Sequence, residues 1–146
     1  MARVVGINHV ALAVGDLDEA LSLYARLFDF ELRGRSARMA FIDMGDQFLA
    51  LAEAGAASPD AERHFGLVVD DREAVRQAVR AVEEVEELPS RRESLDFRDP
   101  WGNHFQVVDY REIQFERTSG VKGKLGISNL EKSESAKAEI DSRGIS

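Results

Sequence analysis

The sequence has no cysteine among its 146 residues. It can therefore hold no disulfide framework and run no thiol chemistry, and any metal it takes must be bound through nitrogen and oxygen. No apolar run approaches the roughly 20 residues that a membrane-crossing helix needs, and Met1-Ala2-Arg3-Val4 lacks the apolar core of a secretory signal. The expectation is a cytoplasmic protein with no membrane partner. Positive charge is scarce over most of the chain. Residues 1–116 carry 13 Lys+Arg against 23 Asp+Glu, a balance of −10, and residues 117–146 carry 6 against 4, a balance of +2, which together give the net charge of −8. An acidic surface of this kind repels phosphate backbones, so no nucleic-acid partner is expected. What is present is ordinary for a soluble globular protein: 44% hydrophobic and 32% charged residues in a length that fits one domain with one sizeable core.

The chain repeats itself. Ile7-Asn8-His9-Val10-Ala11-Leu12-Ala13-Val14-Gly15-Asp16 returns as Glu62-Arg63-His64-Phe65-Gly66-Leu67-Val68-Val69-Asp70-Asp71. Each copy has a histidine, a small residue two places on, leucine, an apolar pair and aspartate, which makes His9 and His64 equivalent. Further on, Phe41-Ile42-Asp43-Met44-Gly45-Asp46-Gln47-Phe48-Leu49-Ala50-Leu51 lines up with Phe97-Arg98-Asp99-Pro100-Trp101-Gly102-Asn103-His104-Phe105-Gln106-Val107. Self-similarity on this scale reads as two half-domains of about fifty residues.

Periodicity gives each half the same order of elements. Val5 to Val14 is a strand with His9, Ala11 and Ala13 on one face and Val10, Leu12 and Val14 on the other. Both faces are apolar enough to predict cover on both sides, and the alanines leave room in front of the imidazole. Asp16 with Glu19 reads as a capping box for a helix that carries Leu17, Leu21, Tyr24 and Phe28 on one stripe and stops near Asp29. Strands follow over 30–33, 38–44 and 47–52, with the tightest turn at Gly45-Asp46. After a small-residue linker, 54–60, come a strand over 63–69, a helix from Arg72 to about Glu84, weaker strands near 85–91 and 94–98, and a hairpin at 99–103. The last strand, 103–110, places His104, Gln106, Val108 and Tyr110 on one face. Gly120, Gly123 and Gly126 predict an irregular connection. Beyond it Ser128 with Glu131, or Ser133, could cap a short helix running towards Gly144.

A βαβββ unit written twice, a histidine in the first strand of each, and an Asp-Pro-x-Gly-Asn hairpin before the last strand together resemble the vicinal oxygen chelate superfamily. That group includes glyoxalase I, extradiol dioxygenases and the fosfomycin- and bleomycin-resistance proteins. The resemblance implies an α+β fold in which two βαβββ repeats, 4–54 and 62–110, form a cupped mixed sheet with helices outside. These make up a glyoxalase-like domain over 1–116, followed by a tail, 117–146, with a short helix. It also implies a divalent metal, manganese, iron, zinc or nickel, on the inner face. The family's ligand positions fall on His9, Ala50, His64 and Gln106. Alanine cannot ligate, and Gln106 stands where most metal-binding relatives have glutamate, so the expected set is His9, His64 and Gln106 and the charge that would offset the cation is missing.

A histidine in an apolar strand is most often a satisfied core residue, and Gln106 could simply bond a buried backbone group. Two histidines at equivalent places are harder to dismiss. Trp101 reads as a hairpin pin, and His104 as a spare ligand at an exposed strand start. Glu53, Tyr110 and Asp43 are acid–base candidates that nothing in their spacing promotes. Two functions remain open. One is a metal-dependent lyase, isomerase or dioxygenase acting on a small substrate through two neighbouring oxygens. The other is a metal-free pocket that sequesters a small hydrophobic compound, as bleomycin-resistance proteins do. Because each half-sheet leaves an edge, a homodimer is expected, with the tail packed on the core or on the partner.

Overall fold

The structure, a computed structural model of the chain, describes residues 9–45, 47–55, 58–60, 64–90 and 94–144. The expected strand start at Val5, the turn residue Asp46, the strand start at Arg63 and the segment 91–93 lie outside these. The chain divides into two compact units, 1–58 and 59–146.

In the first unit strand β1 (His9–Val14) leads into helix α1 (Leu17–Leu27) and then strands β2 (Leu32–Arg35), β3 (Met39–Asp43) and β4 (Phe48–Glu53). The sheet order is β1-β4-β3-β2, with β1 parallel to β4 and the other pairs antiparallel. The second unit repeats this with β5 (Phe65–Val69), α2 (Arg72–Ala81), β6 (Glu86–Leu88), β7 (Leu95–Arg98) and β8 (His104–Asp109), in the order β5-β8-β7-β6. The fold is α+β, two βαβββ modules each with a four-stranded mixed sheet. The repeated aspartates explain why each helix begins where it does. Asp16 accepts the N–H of Glu19 at 2.8 Å and Asp71 that of Ala74 at 3.0 Å, so each carboxylate satisfies an amide that the first turn leaves free.

Helix α1 buries Leu17, Ala20, Leu23, Tyr24 and Leu27, while Leu21 and Phe28 of the expected stripe are half-buried. It packs on β4, and the alternate strand residues Leu12 and Val14, Leu49 and Leu51, Ala40 and Ile42 are buried. Strand β1 is covered on that face only: His9 and Ala11 are exposed, which corrects the expectation of cover on both sides. Helix α2 packs on β6, β7 and β8 through Val75 and Val79. It ends at Ala81 rather than near Glu84, because Val82 N–H bonds Val79 O at 3.3 Å and Val85 N–H bonds Val82 O at 3.3 Å. Those tight turns bury both valines without a further helical turn.

Past β8 the chain makes a single 3-10 turn, Tyr110–Glu112, and then helix α3 (Ser119–Lys124) where an irregular connection was expected. Thr118 caps α3 by accepting the Val121 N–H, which offsets two helical glycines. Helix α4 (Glu134–Ser142) starts at the second of the two expected caps, Ser133. Among the described residues no helix is long and apolar enough to cross a membrane.

Candidate functional site

The face of the second sheet turned away from α2 carries a group of polar residues. Cα partners in β7 and β8 are Asp96 with Gln106 and Arg98 with His104, so these four side chains share a face, opposite the buried Leu95, Phe97, Phe105 and Val107. His64, one residue ahead of β5, approaches His104 with ring centroids 5.3 Å apart. The Asp96 carboxylate sits beside His104 and Gln106. Its Oδ2 lies 3.2 Å from His104 Nε2 and 3.5 Å from the Gln106 Nε2 amide. Asp96 is only 7% exposed, and Asp96 Oδ1 and His104 Nδ1 are buried with no hydrogen-bond partner. His104, expected to be exposed at a strand start, is largely covered because Asp96 holds it. Arg98 is committed elsewhere, to Glu86 Oε2 at 3.0 Å and to the carbonyl of Asp60 at 3.0 Å.

Asp96 reaches this face because of one hairpin. In the first module Met44 N–H bonds Gln47 O, which leaves two residues in the loop, and Asp43 pairs with Phe48. In the second, Asp99 N–H bonds Asn103 O across three residues, and it is Arg98 that pairs with His104. Pro100 takes the second place of a β-turn closed by Gly102 N–H on Asp99 O at 3.0 Å, and Gly102 follows at φ +87°. The Asp99 side chain holds the loop by accepting the N–H groups of Trp101 (3.0 Å) and Asn103 (2.8 Å). The shift of one residue reverses the faces of β7 relative to β3. Phe41 stands edge-on to Phe48, on the face of Ala50, whereas Phe97, its match by sequence, turns inwards and stacks on Phe105 at 4.7 Å. Asp96 takes the outward place. The repeat alignment pairs Phe97 with Phe41 and so hides it; the Pro-x-Gly of the longer turn was the available signal.

In the first module His9 pairs with Phe48 and stacks on it, with centroids 4.6 Å apart and planes 11° from parallel. The room expected in front of the imidazole is filled by that ring. Arg33 lies over the same ring at 5.0 Å and bonds Asp43 at 3.1 Å. Ala50, opposite Ala11, is buried. The structure thus brings His64, His104, Gln106 and Asp96 together within the second unit, and His9 belongs to an aromatic cluster in the first. The other candidates also have partners. Glu53 accepts the Leu17 N–H at 3.3 Å, and Asp43 accepts the Gly45 N–H at 2.9 Å. Tyr110 is buried, its hydroxyl donates to Glu116 at 2.8 Å, and burial pushes its phenol above the ordinary value, with Glu116 adding to the effect.

Two repeats of this topology define the class to which the protein belongs: a fold of two βαβββ modules, each with a four-stranded mixed sheet. The match of a family model over residues 6–107 makes it specific, and the chain belongs to the Glyoxalase/Bleomycin resistance protein/Dioxygenase superfamily. Solved structures with similar folds include lactoylglutathione lyase from Agrobacterium tumefaciens. It is 25% identical, with a TM-score of 0.56 over 74% of this chain and 96% of that one. The fosfomycin resistance protein FosX from Mesorhizobium loti is 20% identical, with a TM-score of 0.60 over 72% and 92%. FosX from Listeria monocytogenes, complexed with Mn(II) and a sulfate ion, is 16% identical, with a TM-score of 0.62 over 84% and 99%.

The residues present fit a divalent ion in their chemistry. Imidazole nitrogen and amide oxygen are ligands for first-row metals, and a buried carboxylate oxygen beside them lacks a partner. Among the described residues, no three His, Asp or Glu side chains are grouped closely enough to hold an ion by themselves.

Proposed function

We propose that this protein is a divalent-metal-dependent enzyme of lyase, isomerase or dioxygenase type, acting on a small substrate that presents two neighbouring oxygens. The observation that supports this reading is the run of contacts His64–His104, His104–Asp96 and Asp96–Gln106 on one face of the second sheet. The proposed ligands are His64 and Gln106 of the second unit; His9, at the equivalent place of the first repeat, lies in the other unit. Manganese, iron, zinc and nickel suit the set, and the Mn(II) carried by the Listeria relative puts manganese first. When bound, the ion would supply Lewis acidity to the substrate oxygens. The chain's own part is to orient. The β5 and β8 backbones fix the direction of the two ligands, and His104, held by Asp96, borders the same face.

A second reading, a metal-free protein that sequesters a small hydrophobic compound, is supported by the first module, where His9, Phe48 and Phe41 form an aromatic surface with Arg33 over it. One measurement separates the two: the thermal midpoint of the full chain, without a polyhistidine tag, with and without manganese, zinc or nickel. On the enzyme reading the wild type rises by several degrees with at least one ion, because an ion that binds only the folded state stabilises it by mass action. His64→Ala and Gln106→Ala lose the rise. No shift with any ion, beside a rise with flat apolar compounds, would favour the second reading.

A further inference from the structure

We propose that Asp96 supplies the negative charge that Gln106 lacks, from the neighbouring strand, and fixes which end of the Gln106 amide is offered to a cation. This rests on the metal reading above.

A divalent ion held only by imidazoles and an amide gains no compensating charge from its ligands. Asp96 stands directly across from Gln106 in the β7–β8 register and is 7% exposed, so its carboxylate acts where water screens it little. Only one of its oxygens has a partner. Oδ2 takes the Gln106 Nε2 amide at 3.5 Å and His104 Nε2 at 3.2 Å, and Oδ1 is buried with none. A carboxylate beside a glutamine selects the donor end of the amide. With Nε2 turned to Asp96, the oxygen Oε1 is left as the coordinating atom. Arg98, the nearby cation on the face, is bound to Glu86 and to the Asp60 carbonyl and does not neutralise Asp96. Asp96 therefore serves as a positioning residue one step behind the ion.

The geometry also changes what Gln106→Glu does. It would place two carboxylates side by side in the metal-free protein, lowering its stability even as it strengthens cation binding. Affinity, and not stability, must be read.

The test is calorimetric titration of Mn(II) and Zn(II) into the full chain, with the fold of each variant checked by circular dichroism. Asp96→Asn is expected to weaken binding by at least about tenfold, Asp96→Glu to change it little, and Asp96→Asn with Gln106→Glu to regain it, because the charge has only moved by one strand. Such a rescue would not follow from a merely structural role. Unchanged affinity in Asp96→Asn, or no recovery in a folded double variant, overturns the inference and leaves the metal reading standing. No binding by the wild type or by Gln106→Glu at millimolar ion overturns the metal reading and this inference with it. Should Asp96→Asn not fold, Gln106→Glu compared with the double variant reads the same charge. A similar weakening is then expected, and equal affinities overturn the proposal.

Discussion

At Gly102 a single methyl group is too much. The residue sits at φ +87°, where a side chain is strained, and an added Cβ would lie 2.4 Å from the Pro59 Cα and 2.9 Å from its nitrogen. The closeness has a use. Asp60 N–H bonds Gly102 O at 2.8 Å, and Arg98 bonds Asp60 O, so the linker residues just before the second module are tied to its hairpin. Since both neighbours are backbone atoms, nothing can rotate away. Gly102→Ala is expected to lower stability by about 2–3 kcal/mol, read as a lower urea midpoint with an unchanged slope. A midpoint within error of the wild type would mean that the linker can move off the turn at no cost. Through the same turn the residue bears on the site, because the three-residue loop sets the register that turns Asp96 outwards.

Among the elements, the C-terminal helices depend on one lysine. Lys132, 5% exposed, donates to the carbonyls of Tyr110 and Ile113 and lies 3.6 Å from the centre of the Tyr110 ring. Burial pulls its ammonium below the ordinary lysine value, against the opposing charge of Glu116. The cation–π contact and two hydrogen bonds offset that desolvation. The Ser133 N–H on Arg111 O at 2.9 Å continues the attachment into α4, whose Ala136 and Ile140 are buried. Lys132→Ala would leave two carbonyls without their donor. It is expected to cost about 2 kcal/mol and to make cleavage by a protease between 117 and 146 faster than in the wild type. Equal cleavage rates would show that apolar packing alone holds the segment. Sequence patterning found the Ser133 cap but not the lysine, because a basic residue between helices gives no sign of burial until the ring beneath it is placed.

For the whole molecule the open question is association. Each four-stranded sheet ends in two outer strands, β1 and β2 in the first and β5 and β6 in the second, and an outer strand is where a second copy of the chain can add. We propose a homodimer. Light scattering at micromolar concentration should give about twice the monomer mass of 16.2 kDa; a monomer mass across that range would count against it.

The sequence by itself determined the repeat, the βαβββ order and the family, because periodicity, capping aspartates and turn residues are local and each module uses them twice. It brought His9 and His64 forward as site candidates, since equivalence between repeats can be read without coordinates, and Gln106 through the family resemblance. It could not decide which way the side chains of β7 face. That depends on whether the hairpin that follows it closes over two residues or three, and a slip of one reverses every side chain on the strand. Nor could it foresee that Phe48 would close over His9, since strand partners are set by sheet order and not by nearness along the chain. The charge beside Gln106, absent from the motif, came from tertiary pairing alone: Asp96 is ten residues away in sequence, and only the register of β7 against β8 sets it opposite.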